Sequence, residues 1–400
     1  MKQKLIIFLS FYFEPDLGAG SFRNTSLLKE LSKNHNENTN IVVFTSLPNR
    51  YRSFNKNALE FEEFSNVKIY RVKLPLHNNG FLDQIYSFYS FYSFVIKKVK
   101  IFNYDLVFAS SSRLFTAFLG YKIAKKRNKP LYLDIRDIFV DTISDVIKNK
   151  ILKFLLIPIL RLFEFNVFNY ATHINLISYG FKDYFLKFKK VNNFTFFTNG
   201  IDDEFFKLSQ SKLKNKTTSN SIKTILYAGN IGEGQGLHNI IPKAAKLLNG
   251  KYKFKVIGDG GTKNKLIKYV NANKISNVEI NPPINRSDLI QEYINADFLF
   301  IHLNNYQAFD KVLPSKIFEL SVFNKPIIAG VGGYCANFIK KNVNNSIVFS
   351  PGNEIELVNM LSNFIFDTTL NRRDFINKYK RKNINKNMSH SIVSYLKCAI

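Results

Sequence analysis

Residues 291–319 read QEYINADFLFIHLNNYQAFDKVLPSKIFE, a stretch that parses into helix, strand, loop and helix. Ile294-Asn295-Ala296-Asp297 ends one helix, Phe298 to Leu303 is an apolar run of strand length, and Pro314-Ser315 opens the next helix. The fixed φ of Pro314 suits a helix start, where its missing N–H costs nothing. The amides of that first turn are predicted to face the strand ends, where backbone N–H groups and the helix dipole stabilise a diphosphate. Ser315 and Lys316 add a hydroxyl and a full positive charge, and Glu319, one turn on, is placed to accept hydrogen bonds from a ribose diol. A cradle, a cation and a carboxylate on one helix face point to a nucleotide-diphosphate ligand.

Outward from this stretch the same alternation of strand and helix recurs. In the second half it gives strands at Ile225 to Ala228, Lys253 to Ile257, Val278 to Ile280, Ile327 to Gly330 and Ser346 to Phe349. In the first half it gives strands at Leu5 to Phe11, Ile41 to Thr45, Val67 to Val72, Leu106 to Ala109, Leu131 to Asp134, His173 to Ile177 and Thr195 to Phe197. A long helical region, Ile147 to Tyr170, is expected to break at Pro158. The pattern stops around Asn199-Gly200-Ile201-Asp202, and Leu208 to Ser221 has the polar, aperiodic composition of a linker. These features predict an α/β protein of two doubly wound parallel-sheet domains facing across a cleft.

Four hundred residues suit two domains, and 46% hydrophobic content supports a buried core. The formal charge of +27 is compatible with nucleic acid, anionic membrane or polyphosphate-bearing substrates. Basic runs such as Lys125 to Arg127 and Arg372 to Lys386 carry no aromatic RNA-binding signature, so no nucleic-acid partner is expected. Cys335 and Cys398 make neither a disulfide framework nor a metal spacing, which fits a reducing cytoplasm. Leu5 to Phe13 imitates a short signal peptide but lacks the A-x-A cleavage pattern and reads better as the first strand. The uncharged candidate Gln84 to Ile96 is too short and too rich in Ser and Tyr to span a bilayer.

Gly18-Ala19-Gly20-Ser21-Phe22-Arg23 joins the first strand to the first helix, and its glycines let a ligand approach the backbone with Arg23 close behind. The G-x-G-x-x-G spacing is missing, which argues against a nicotinamide or flavin cofactor. Two more strand-end glycine loops follow in the second half. One runs from Tyr227 to Leu237 and holds Gly229, Asn230 and Gln235; the other runs from Val256 to Gly261 and holds Gly258. A tight turn without ligand is the competing reading for each. Asp134-Ile135-Arg136-Asp137 closes a first-half strand. There Arg136 would hold an aspartate ionised, and Asp137 would orient or deprotonate an acceptor hydroxyl, unless the group is a structural ion pair. His35, His77, His173, His238, His302 and His390 show no metal-ligand spacing, and no metal is expected. The stretches Leu82 to Lys100 and Val146 to Phe168 mix apolar faces with Lys and Arg, a combination that serves either core packing or peripheral contact with an anionic membrane.

Taken together, these motifs resemble the GT-B glycosyltransferases, specifically the retaining family 4 whose bacterial members assemble O-antigen and capsule sugars. The likeness runs through Phe13-x-Pro15-Asp16-x-Gly18-Ala19-Gly20-Ser21-Phe22-Arg23, Pro48-Asn49-Arg50-Tyr51, Asp134-x-Arg136-Asp137, Thr198-Asn199-Gly200-Ile201-Asp202, Gly229-Asn230-Ile231-Gly232, Gly258-Asp259-Gly260 and Pro314-Ser315-Lys316-x-x-Glu319. The resemblance implies two Rossmann-like domains, residues 1–200 holding the acceptor and 201–375 the donor, with a helical segment 376–400 packing back on the first. It also implies a nucleotide-diphosphate sugar donor, transfer of a hexosyl or N-acetylhexosaminyl unit with retention, no cofactor, and a lipid-linked saccharide acceptor at the inner face of the cell membrane. Donor contacts would come from Gly18, Gly20, Arg23, Gly229, Asn230, Gln235, Gly258, Ser315, Lys316 and Glu319, and acceptor chemistry from Asp134, Arg136 and Asp137. Two departures from the family pattern involve three positions. Lys311 stands where a Glu is common, and Asn230 and Gln235 replace the usual Arg and Lys on the diphosphate, a role that would fall to Lys316. A GT-B epimerase, a synthase with a soluble acceptor, or a non-catalytic sugar-nucleotide-binding subunit are the alternatives.

Overall fold

Continuous runs of Ile, Val, Phe and Leu suit strands covered on both faces, and the chain uses them to build two parallel sheets. The computed structural model describes residues 3–16, 18–34, 38–49, 57–75, 81–111, 114–147, 149–189, 193–210, 222–365 and 372–397. They fall into two units, Met1–Asn199 with Arg381–Ile400, and Gly200–Lys380. Arg50, Tyr51, His35, His77, Cys398 and the linker residues 211–221 lie outside the described residues; Leu208 to Gln210 close the helix Asp203–Gln210.

In the first unit, eight strands are β1 (Lys4–Ser10), β2 (Thr39–Ser46), β3 (Phe61–Phe64), β4 (Val67–Val72), β5 (Leu106–Ser111), β6 (Leu131–Ile135), β7 (His173–Leu176) and β8 (Phe194–Thr195). They lie in the order β3-β4-β2-β1-β5-β6-β7-β8. All pairs are parallel except the edge strand β3, which turns back antiparallel on β4 and has no counterpart in the sequence reading. One face packs Phe8, Phe108 and Tyr132 against Leu27 and Leu31 of helix α1 (Ala19–Asn34) and against Met388, Ile392 and Leu396 of the terminal helix Arg381–Lys397. On the other face Phe44 meets Phe94 of α2 (Phe81–Lys98), and Gly120 of α3 (Leu114–Lys126) sits on Leu9, Ala109 and Leu131. A short α4 (Phe139–Val146) leads to α5 (Lys150–Tyr170), which packs on α3 through Phe118 and Phe163. α5 runs through Pro158 without the expected break. Its start is capped by the Asn149 side chain, which accepts from the Ile151 and Leu152 amides at 3.0 and 3.1 Å.

The second unit holds β9 (Lys223–Asn230), β10 (Tyr252–Asp259), β11 (Val278–Asn281), β12 (Phe298–His302), β13 (Ile327–Gly330) and β14 (Ser346–Phe349) in the all-parallel order β11-β10-β9-β12-β13-β14. The order reverses between β9 and β12, the place where ligands of doubly wound sheets sit. Leu226, Ile257, Leu299 and Ala329 face the helices Arg286–Asn295, Lys316–Leu320 and Gly333–Asn342, while Ile225, Val256, Phe300 and Phe349 face Leu237–Leu247 and Glu354–Ser362. Two parallel-sheet α/β units are the fold class that the alternation predicts.

Candidate functional site

The C-terminal ends of β9 and β10 meet at two glycines. Gly229 and Gly258 are register partners, and a Cβ on Gly258 would collide with the Gly229 carbonyl. With φ of +153° and +156°, both occupy a region that L side chains rarely adopt. On its free side Gly229 meets Lys316: a Cβ there would lie 3.4 Å from the lysine Cε. The structure therefore brings Gly229, Gly258 and Lys316 together in the second unit.

Lys316 begins the helix that carries Glu319. Its Nζ donates to Glu319 Oε2 at 2.8 Å and to the Tyr293 hydroxyl at 3.1 Å. Glu319 and Tyr293 are buried, whereas the Lys316 side chain keeps 28% of its surface exposed. Burial by itself would lower the lysine pKa; the adjoining Glu319 carboxylate and Tyr293 phenol outweigh it and hold the ammonium above the ordinary lysine range. Two of three ammonium protons are engaged, and the third has an open side. Arg286, from the first turn of the helix that bears Tyr293, adds a second cation near Glu319. It is ion-paired with Asp202 and with Glu204 at 3.2 Å and stacks 4.5 Å above the Phe205 ring.

The helix itself differs from the sequence reading. It spans only Lys316–Leu320, with Ser315 as its half-buried N-cap, so its dipole is small. The Ile317 and Phe318 amides are spent on the Pro314 and Ser315 carbonyls at 3.3 and 3.1 Å. Fewer bare amides remain than a full helical turn would offer, and the Lys316 charge gains weight accordingly.

Asn230 and Gln235 are engaged with each other. Asn230 Nδ2 donates to Gln235 Oε1 at 2.7 Å, the same oxygen receives the Gly232 amide at 3.3 Å, and the Tyr227 hydroxyl donates to the Asn230 carbonyl. These side chains shape the glycine loop from within. The loop is tied down by His302 at the end of β12: its Nδ1 lies 2.7 Å from the Gln235 carbonyl, and its Nε2 accepts from the Gly352 amide at 3.0 Å. Burial lowers the His302 pKa to about 4. Tyr293, Arg286 and His302 were missed as site residues because in sequence each is an isolated polar group beside an apolar run.

In the first unit the Asp134 group is corrected. Arg23, fully buried in α1, grips the Asp134 carboxylate with Nε at 2.9 Å and Nη2 at 3.0 Å and gives two further protons to the Thr198 and Phe197 carbonyls. Asn175 Nδ2 adds a third donor to Asp134 at 2.7 Å. Arg23, not Arg136, is the partner of Asp134, and with their polar atoms turned on one another both are structural in this geometry. Such a bidentate pair ties α1, β6, β7 and residues 197–198 together. Arg136 instead lays its guanidinium where a Gly20 side chain would be, so those two positions do converge, with Gly18 starting α1 in open space. Asp137 is half-buried and receives the Thr142 hydroxyl at 3.2 Å; burial pushes its carboxyl up to about 6, close enough to neutrality for proton transfer. Among the described residues no group of three His, Cys, Asp or Glu could hold a metal ion.

Residues 209–383 match the family model described as Glycosyl transferases group 1, and this part of the chain is a domain of that type. A stretch of 95 residues is 35% identical to WcaI of Escherichia coli K12, named as a colanic acid biosynthesis glycosyl transferase. The match covers 24% of this chain and 23% of the length of that relative. Over nearly their full lengths, solved structures share the two-unit GT-B architecture. HepE of Anabaena in complex with UDP and glucose aligns with a TM-score of 0.66 at 16% identity, covering 97% of this chain and 99% of that one. Sucrose-phosphate synthase of Thermosynechococcus elongatus aligns with a TM-score of 0.74 at 13% identity, covering 99% and 100%. The lipopolysaccharide outer core galactosyltransferase WaaB aligns at 0.61 and 15%, covering 98% and 99%.

Proposed function

We propose that this protein is a glycosyltransferase that moves a sugar from a nucleotide-diphosphate donor to a lipid-linked saccharide, with retention, during surface polysaccharide assembly. The observation that carries the reading is the Lys316–Glu319 pair set beside Gly229 in a group 1 glycosyl transferase domain. Glu319 accepts the ribose hydroxyls. The remaining Lys316 proton and the glycine-loop amides hold the diphosphate, and the fixed ammonium stabilises the charge that builds on the leaving diphosphate as the glycosidic bond breaks. Preorganisation comes from Tyr293 and Glu319, which position the ammonium before donor arrives. On the first unit Asp137, with a carboxyl near pH 6, takes the proton of the acceptor hydroxyl, and Arg136 over Gly20 attracts an anionic acceptor head. UDP and UDP-glucose complexes of the HepE fold relative and the polysaccharide setting of WcaI and WaaB support the donor class and the pathway class.

Two variants test it. Lys316→Ala is expected to lower donor turnover about a hundredfold, the loss of one transition-state charge clamp. Glu319→Ala is expected to raise the donor KM and to erase discrimination between a ribose donor and its 2′-deoxy counterpart. Unchanged kinetics in Lys316→Ala, or retained discrimination in Glu319→Ala, would remove the assignment.

A further inference from the structure

α5 turns its apolar side toward solvent. Phe154 is 78% exposed and Ile151 74%, and Leu155, Ile159, Leu162 and Phe165 each exceed half. At 100° per residue these six fall within one arc of about 140°, opposite the buried Leu160, Glu164 and Val167. Scattered exposed Leu or Phe needs no explanation, but a contiguous apolar face on one helix marks a surface made to be covered.

Charge indicates what covers it. On the same wheel Lys150 and Arg161 border the apolar arc along one side while Lys153 lies on the inner side, and the one acid of α5, Glu164, points inward to the Tyr184 hydroxyl. The neighbouring helices of the same layer end in Lys97 and Lys98 on α2 and Lys125 and Lys126 on α3, with Asp141 and Asp145 of α4 as the acids nearby. α2 adds exposed Tyr86 and Tyr89, amphipathic rings suited to a boundary between water and hydrocarbon. A second copy of a chain with charge +27 would bring like charge to like, and an uncharged partner would leave the cations without a counterpart. An anionic bilayer matches both the apolar arc and its basic border. No helix among the described residues is long and apolar enough to cross a membrane, so α5 would lie along the surface, about 31 Å long and sunk roughly 5–10 Å.

We propose that α5 is a membrane-docking helix lying in the plane of an anionic lipid bilayer, with its Ile151 to Phe165 face among the acyl chains and the bordering Lys150 and Arg161 at the headgroups. Each such cation strengthens partition about fivefold on an anionic surface. The inference is independent of the sugar-transfer reading, because its test measures partition and not turnover.

The chain contains no tryptophan, so Phe154→Trp gives a single reporter on the exposed face. Full-length protein is mixed with vesicles of phosphatidylcholine and phosphatidylglycerol (3:1) or of phosphatidylcholine alone. Flotation with the anionic vesicles, at least tenfold weaker flotation with the neutral ones, and a blue shift of Trp emission only with the former are expected. Phe154→Ser with Phe165→Ser, whose side chains are already exposed, should keep its melting temperature and lose at least tenfold in flotation. Wild-type protein that stays in solution, equal partition to both vesicles, unshifted emission, or a folded double variant that floats as before would each overturn the proposal. So would a dimer that the double variant dissolves in the absence of any vesicle binding, which would assign the face to a second copy.

Discussion

The His302 imidazole is closed at both nitrogens: a carbonyl can only accept, so Nδ1 carries the proton toward Gln235, and Nε2 is left to receive the Gly352 amide. Phe300 and Phe349 pack near the ring, and a Cβ on Gly330 would collide with it, so protonation at Nε2 finds neither room nor acceptor. The folded-state pKa of about 4 lies below the ordinary 6.5. A depressed value means that the folded protein binds fewer protons than the unfolded chain between those limits. The contribution to stability is therefore complete above pH 6.5 and is lost as pH falls toward 4, a difference of about 3 kcal/mol. His302→Gln should be less stable at pH 7 yet show a flatter fall of the urea midpoint from pH 7 to 4.5. Parallel falls in wild type and variant would show that the residue is not the titrating group. Because His302 ties the loop holding Gly229 to Gln235, the same variant links loop order to donor affinity.

Pro158 lies in the middle of α5, where a ring normally removes a backbone bond and presses on the carbonyl four residues back, here that of Phe154. It sits on the exposed side, within the face proposed for membrane docking, where in the protein free of membrane water can serve the freed carbonyl and no packed neighbour opposes the ring, so the helix continues. Pro158→Ala should raise stability by about 1–3 kcal/mol, read as a higher melting temperature; a lower one would mean that the local bend is itself part of the packing. The strands were legible from their apolar runs, down to β12 at Phe298–His302, because burial on both faces leaves little choice of residue. The edge strand β3, FEEF, was not, since an edge needs only one partner and tolerates exposed side chains. Glycine loops, Lys316 and Glu319 were legible because each answers a local backbone or charge requirement. The Arg23–Asp134 pair was misassigned for the opposite reason: 111 residues separate them, and no local pattern tells a buried ion pair from one open to substrate.

The second unit is an insertion in the first. Chain leaves the first unit at Asn199, returns at Arg381, and the returning helix fills part of the first core with Met388, Ile392 and Leu396. Where the insertion begins and ends, Ile201 donates its amide to the Tyr379 carbonyl at 2.8 Å and bridges to Lys380, so the two ends of the unit are already fastened together. Its sheet has its own core on both faces, as an autonomous domain requires. A fragment 200–380 should then melt cooperatively on its own, whereas a chain ended at residue 380 should lose stability in its first unit. If donor recognition rests on Glu319, Lys316 and the loops after β9 and β10, the fragment keeps it. Its affinity for a nucleotide sugar should stay within about tenfold of the full chain, and donor at a hundred times Kd should stabilise it by about 2.7 kcal/mol. Calorimetry on the folded fragment decides the matter: a cooperative melt with binding weakened more than a hundredfold would show that residues outside 200–380 carry the donor.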